Sequence, residues 1–549
     1  MPRRAVSRTI VARTFREHAT GMLAWIVGGG AFNLFETYAL HMEMADYPGG
    51  GKALSAAVTS AAEAMRPLRW PVERLDTLGG YLTFHNILFL QGFLAIYAVV
   101  QGVHAVRRPE EQGSLDPVLA AGGTRRDYLR DRVLGFALVV GAITIGLALS
   151  VAGSLAFVGE PETMSSLISL TSVGLCTFAS YAFGLAIGQL RLTARSAMGI
   201  ANLAIVTIYI LTNEAGNLGP LDVVRWISPF EYANRSRALV PGVGWDARAM
   251  LALLAMAAIG ITLAVLGFDR RDLGATPSRA LLPRRERRGT MRVQRPTQRS
   301  IWVAQLVRHR IALATWTLSG VGLSALWTGL EPIVADAWQS SDFMKVFLGG
   351  TSASDVAALY TSFGCDILAP IVVAYAAANA GTWVADLQQG RVEAVLSTPL
   401  SWTRLFSERI ASGVVGVAVI AIAWVGTMVI GGAWISAPLD TAGLLRTVVM
   451  AMLVGWAASA LAAVLVAWTR RAYATTLLIV YVVVAYTLSW FVQVLRWPDW
   501  VNRLSVFNAF GHPYDAWPDA LNLGILVATG VGATIVTAAI AERTAKIAT

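Results

Sequence analysis

The sequence predicts an all-α polytopic membrane protein of about twelve transmembrane helices, laid out as two parallel six-helix repeats. Three observations carry that expectation. Charged residues make up 14% of the 549-residue chain and hydrophobic ones 55%, whereas soluble domains carry roughly 25% charged residues. Apolar runs near the roughly 20 residues that cross a bilayer recur along the whole length. The chain also repeats itself: QGSLDPVLAAGGTRRDYLRDR at 112–132 returns as QGRVEAVLSTPLSWTRLFSER at 389–409, about 277 positions later.

Taken in order, a basic segment with Arg3, Arg4, Arg8, Arg13 and Arg16 precedes a first span at about Gly21–Leu40. It lacks the compact apolar core and small-residue cleavage site of a signal peptide. A polar loop leads to the second span, roughly Gly80–Val106, and the first repeat copy follows. Spans three to six fall near Val133–Val158, Ser165–Leu190, the stretch after Arg195 up to Leu211, and Ala247–Phe268. Residues 1–268 thus form one six-span half. Residues 269–300 are a basic linker too charged to cross lipid. Residues 301–549 repeat the plan, with spans near 311–331, 361–386, 410–434, 446–469, 473–495 and 520–541. Ahead of the seventh span, Trp302, Val303, Leu306 and Val307 share one helical face, and Gln305, Arg308 and His309 the other.

Six spans per half is an even number, which places both copies of any insertion on one side of the membrane, as in a parallel duplication. Assigning both termini and both motif copies to the cytoplasm puts roughly 32 basic residues inside and about 12 outside, a positive-inside bias. Basic residues are nearly all arginine, which reflects genome composition and loop placement better than a nucleic-acid surface. Cys176 and Cys365 both sit in apolar runs and form neither a zinc pattern nor a disulfide framework.

Each repeat copy reads as a short helix, a break at Gly122–Gly123 or Thr398–Pro399, and a new helix with a hydroxyl N-cap at Thr124 or Ser401. Gln112 aligns with Gln389, Gly113 with Gly390, Leu115 with Val392, Asp116 with Glu393, Val118 with Val395 and Leu119 with Leu396. A single copy would be an ordinary capped loop. Two copies at one register point to paired docking surfaces for a two-fold partner.

On these QG-x-x-[DE]-x-VL segments, the six-plus-six layout and the amphipathic segments before spans one and seven, the sequence resembles ABC-2 (type V) exporter permeases. Within that class it resembles the fused twelve-span form associated with actinobacterial polyketide-antibiotic and tetronasin-type efflux. The resemblance covers essentially the whole chain. It implies that Gln112–Ala120 and Gln389–Ser397 couple to an ATPase, and that two copies of a separate ABC ATPase subunit dock on this one chain. It further implies a plasma-membrane subunit of an ATP-driven exporter that moves hydrophobic or amphipathic compounds, antibiotics or other drugs, outward.

No ATPase site is legible here. Lys52, Lys345 and Lys546 are the only lysines, and none fits G-x-x-x-x-G-K-[ST]. The chain is therefore expected to hold no cofactor and no catalytic or metal site, with ATP and magnesium bound in the partner. DVVRWISPFE after the fifth span and DWVNRLSVFN after the eleventh look like the short helices that dip into the outer leaflet in this family. Interfacial aromatics on a plain outer loop would read the same way. Trp226, Phe230 and Phe507 are the outer-gate candidates.

By the same resemblance, spans two, five, eight and eleven face the substrate path. The candidates there are Phe89, Phe93, Tyr97, Tyr209, Asp366, Tyr375, Tyr481, Tyr486 and Trp490. An intramembrane carboxylate is costly and tends to mark a cavity or proton path. Asp366 is placed well inside span eight and Glu36 toward the outer end of span one. His85 beside Asn86 has the same ambiguity between packing and function. These carboxylates keep a proton-coupled secondary drug antiporter open as the alternative.

Overall fold

The computed structural model describes residues 3–46, 55, 73–121, 123–190, 192, 194–213, 219–270, 300–340, 353–388, 390–397, 400–437, 439–469, 473–494 and 498–548. Among them every regular element is helical. Ten helices are long and apolar enough to cross a membrane. The other two expected spans lie in helices as well, Arg3–Asp46 and Tyr473–Val494. The basic linker falls almost wholly outside the described residues. Contacts divide the chain into two units, Met1–Glu286 and Arg287–Thr549.

Among the described residues the first unit holds six long α-helices and two short ones, with a 3-10 helix at Gly219–Ile227. They are α1 (Arg3–Asp46), α2 (Leu78–Glu111), α3 (Asp116–Ala120), α4 (Arg125–Phe157), α5 (Thr163–Ile187), α6 (Ala194–Asn213), α7 (Pro229–Ala233) and α8 (Ala247–Arg270). The basic leader and the first span form one continuous helix, so α1 packs along α4 over its length. Glycine lets α2 and α5 touch backbone to backbone: a Cβ on Gly102 would come within 2.3 Å of the Tyr181 carbonyl oxygen, and one on Gly184 within 2.2 Å of that of Val99. Lipid offers no hydrophobic drive between helices, so such close approach supplies the packing. Within α2, residues Thr83–Ile87 widen into a π-helical turn, where the Asn86 side chain donates to Asn33 of α1 and His85 stands 3.7 Å from Glu36.

The second unit opens on the short α9 (Ile301–Arg308), which breaks at His309 before α10 (Arg310–Ser340). Then come α11 (Ala353–Asp366), α12 (Leu368–Gln388), α13 (Arg391–Leu396), α14 (Trp402–Ile435), α15 (Thr441–Thr469) and α16 (Tyr473–Val494). The unit ends with α17 (Asp499–Asn502), α18 (Val506–Phe510) and α19 (Ala520–Ala548). On α9 it is polar Gln305 that is buried, while Val307 is half exposed. Trp302, Val303 and Leu306 are half buried, so neither face of α9 is wholly turned inward.

The span expected near 361–386 lies inside an apolar stretch of spanning length, Ala357–Leu387, which carries a one-residue turn at Ile367 between α11 and α12. Asp366, expected within that span, is the last residue of α11 at this turn.

Candidate coupling site

Both repeat copies fold alike in their own units. Gly113 and Gly390 each take φ of 65°, the left-handed region that a side chain resists. The glycine N–H closes the turn in the same way twice, Gly113 donating to the Glu110 carbonyl at 3.1 Å and Gly390 to the Leu387 carbonyl at 3.3 Å. Two residues on, Leu115 and Val392 are both buried, so the turn plugs its apolar residue into the unit. In the first copy Gln112, Gly113, Asp116 and Ala120 are left exposed, with Val118 and Leu119 half buried. In the second, Arg391 is exposed and Leu396 half buried. Gln389 and the side chains of Glu393 and Val395 lie outside the described residues. The following helices are capped as expected: Thr124 Oγ1 accepts from the Asp127 N–H and Ser401 Oγ from the Arg404 N–H.

Charged side chains tie each copy to the helices around it. In the first unit Arg132 reaches Thr14 Oγ1 at 3.2 Å and pairs with Glu17 of α1, and Arg13 holds the same carboxylate at 2.8 Å. Burial would raise the Glu17 pKa, but the hydrogen bonds and charges of Arg132 and Arg13 outweigh it and hold the carboxyl below its usual value. Burial and the Arg132 charge together push His18 down. At the same end Glu111 accepts from the Ala194 N–H at 2.7 Å, and Arg125 and Arg126 bind the Phe268 carbonyl and Asp269 of α8 at 2.8 and 2.6 Å. These contacts tie the segments that flank α3 to α1, α6 and α8.

The second unit reaches the same end by another route. Arg409, which aligns with Arg132, contacts Asp386 at 3.4 Å. Arg308 of α9 and Arg391 of α13 bind the same buried carboxylate at 2.9 and 3.2 Å. Glu408 accepts from the Ile301 and Trp302 N–H groups, tying α14 to the start of α9. Neither Glu17 nor Asp386 stood out in the sequence. The available signal was an acid at the end of an apolar run facing unpaired arginines in neighbouring segments.

The short helices after the fifth and eleventh spans also match. Ser228 Oγ accepts from Phe230 and Glu231 N–H groups, and Ser505 Oγ from Phe507 N–H. Each hydroxyl also anchors back to the preceding span, Ser228 to Thr212 Oγ1 at 2.6 Å and Ser505 to the Ala485 carbonyl at 2.6 Å. Glu231, buried, is held by Arg225 at 3.2 Å and Arg235 at 2.8 Å. The aligned pair in the second unit is neutral, Asn502 donating to Asn508 at 2.8 Å. Trp226 is exposed against the Arg225 and Arg235 guanidinium groups, 5.5 and 5.8 Å away.

Of the path candidates, Tyr97 and Tyr375 pack inside their own units, edge-on to Trp25 at 6.0 Å and Trp316 at 6.1 Å. Phe89 is half buried and Phe93 exposed on α2. Tyr209 and Tyr486 meet the serine-capped short helices α7 and α18, and Tyr481 donates to the Leu504 carbonyl at 3.3 Å. Asp366 faces His512 at 2.6 Å. The Trp490 side chain lies outside the described residues. The described residues contain no cluster of three or more metal-ligating side chains.

Residues 13–273 match the family model described as ABC-2 family transporter protein. The first half carries an ABC-2 family transporter domain. Residues 304–542 match the model described as Multidrug efflux system permease Rv1217c, C-terminal domain. The first match runs from within α1 through α8 and includes the first repeat copy, and the second takes in α10 to α18 and most of α19. The chain has no match among curated proteins. With ten apolar helices of spanning length, it is a multi-pass membrane protein.

Proposed function

We propose that this chain is the transmembrane permease of an ATP-driven exporter for hydrophobic or amphipathic compounds, with ATP and magnesium bound in two copies of a separate ABC ATPase. The carrying observation is the duplicated coupling turn, with its left-handed Gly113 or Gly390 and its buried Leu115 or Val392. Two equivalent surfaces suit two equivalent engine subunits. The efflux-permease match supports outward drug transport, and the arginine distribution supports both termini and both turns in the cytoplasm. Closure of the ATPase pair would push the turns, and the Arg132–Glu17 and Asp386 networks would pass that movement to the first and third spans of each half.

The test is co-purification with an ABC ATPase followed by transport in proteoliposomes. Uptake into inverted vesicles that requires ATP and is stopped by vanadate is the expected result. Transport that ignores ATP and collapses with the proton gradient would instead favour the antiporter, for which the His85–Glu36 pair is the supporting observation.

A further inference from the structure

The second unit contains a small pocket between α10, α11 and the end of α14 that the coupling reading does not use. Trp327, Thr328 and Glu331 of α10 line it with Tyr360 and Thr361 of α11, and Met428 and Leu439 close its apolar side. It has room for about one water-sized group. Glu331 is only 8% exposed, and among the described residues no side chain hydrogen-bonds it or ion-pairs with it. A mostly buried carboxylate without a partner is costly unless something cationic or a proton joins it.

The other polar groups here have already spent their hydrogens. Thr328 Oγ1 donates to the Ser324 carbonyl and Thr361 Oγ1 to the Ala357 carbonyl, both at 2.9 Å. Tyr360 Oη donates to the Trp327 carbonyl at 3.0 Å, and Trp327 Nε1 donates to the Tyr360 carbonyl at 3.1 Å. The two rings stack at 4.6 Å, tilted by 11°, which fixes that wall. What the pocket presents is therefore a carboxylate and two hydroxyl lone pairs beside an aromatic face. It can accept hydrogen bonds and has none to give.

We infer that this pocket binds the primary ammonium head of a membrane-borne amphiphile. A primary ammonium brings three N–H donors and no acceptor, matching the carboxylate and the two threonine oxygens, and aromatic faces attract cations. A bare sodium ion would want more oxygen ligands than three, and a quaternary ammonium has no N–H and is too wide for the space. The head could belong to an ethanolamine lipid or to an amine-bearing cargo. Only the second source rests on the permease reading.

The experiment uses the full chain purified in detergent, with thermal unfolding followed as amphiphiles are titrated. Dodecylammonium should raise the melting temperature at concentrations where dodecanol and sodium chloride do not. Glu331→Gln should weaken the half-saturating concentration at least tenfold, and Thr361→Val, which keeps the side-chain shape, several-fold. Equal protection by dodecanol, equal protection by sodium alone, or unchanged dodecylammonium binding in both variants would overturn the site. Should Glu331→Gln fail to fold, Thr361→Val decides alone. Protection by an ethanolamine lipid but not by a choline lipid supports the site with a lipid occupant; amine protection that ethanolamine lipid fails to compete supports it with a cargo occupant. Failure of ATP-driven transport leaves this binding test unaffected, so the two readings fall separately.

Discussion

Tyr209 stands edge-on to Phe230 at 5.0 Å, and the relationship recurs between Tyr486 and Phe507 at 5.5 Å. Each tyrosine sits on the fifth span of its half and each phenylalanine on the first turn of a serine-capped helix. The edge-to-face arrangement adds about 0.5–1.5 kcal/mol beyond the buried area. With Ser228 and Ser505 pinned to the same spans, these contacts hold each short helix against the fifth span of its half.

Removing the rings should loosen that packing, and an outer gate built on it would then leak. Phe230→Ala and Phe507→Ala together are expected to raise passive dye leak through proteoliposomes several-fold without ATP, with Tyr209→Leu and Tyr486→Leu giving a smaller rise. Leak at the wild-type level in the double alanine variant would remove these residues from any gate.

The turns at Gly113 and Gly390, proposed to couple to the ATPase, offer a second test. Charge reversal by Asp116→Arg with Glu393→Arg is expected to abolish transport stimulation or ATPase co-purification while leaving the chain's own melting temperature within a few degrees, because Asp116 is exposed and surface changes usually shift stability by under about 0.5 kcal/mol. Unchanged transport would exclude these side chains from docking.

Glycine itself is expected to matter at 113 and 390. A Cβ on Gly113 meets no neighbour within 4 Å, so Gly113→Ala is strained only through its φ of 65°, at roughly 1 kcal/mol. Gly113→Asn, which tolerates this region, should retain coupling better than Gly113→Ala in an ATPase-stimulation assay. The reverse order would mean that the turn geometry is not what the partner reads.

Much of this was legible in the sequence because apolar run length and repeat register are one-dimensional signals. The helix order, the hydroxyl caps Thr124, Ser401, Ser228 and Ser505, and the alignment of Gly113 with Gly390 are all local. The Ile367 break was not, because Cys365-Asp-Ile-Leu is as apolar around its one acid as a continuous span allows. Nor was the Asp386 hub, whose arginines come from three separate elements. Tyr97 and Tyr375 show the same limit: helical period says that a tyrosine lies in a span, and only packing against Trp25 and Trp316 says which way it turns.

Asp386 is expected to be the most sensitive charge in the second unit. Arg409 beside it is 3% exposed, and removing one partner of a buried ion pair costs about 3–5 kcal/mol. Asp386→Ala should therefore lower the melting temperature markedly, with Asp386→Asn intermediate and Arg391→Ala mild, since Arg391 is exposed. Stability unchanged in Asp386→Ala would show that the three arginines find other partners.

The last test is of pH. His512 Nδ1 lies 2.6 Å from Asp366, and that hydrogen bond, only partly offset by burial, lifts the imidazole above its ordinary 6.5. Asp515 adds to the same field and is itself held by Ser362 Oγ at 2.7 Å. Along the same loop Arg446 binds the Pro513 and Tyr514 carbonyls at 2.9 and 2.6 Å, and Tyr514 Oη accepts from the Asp440 N–H at 2.9 Å. A group whose pKa is raised on folding stabilises fully below its unfolded value, and that stabilisation is lost as pH climbs through the folded one. The His512–Asp366 contact is therefore present below about 6.5 and fades above it, whereas Glu17, held low, contributes above its ordinary 4.5 and fails only in acid. Melting temperatures in detergent should fall between pH ~6 and ~8 in the wild type and stay flatter in His512→Gln. An identical pH slope in the two proteins would show that this pair does not hold the loop after α18 against the α11–α12 break.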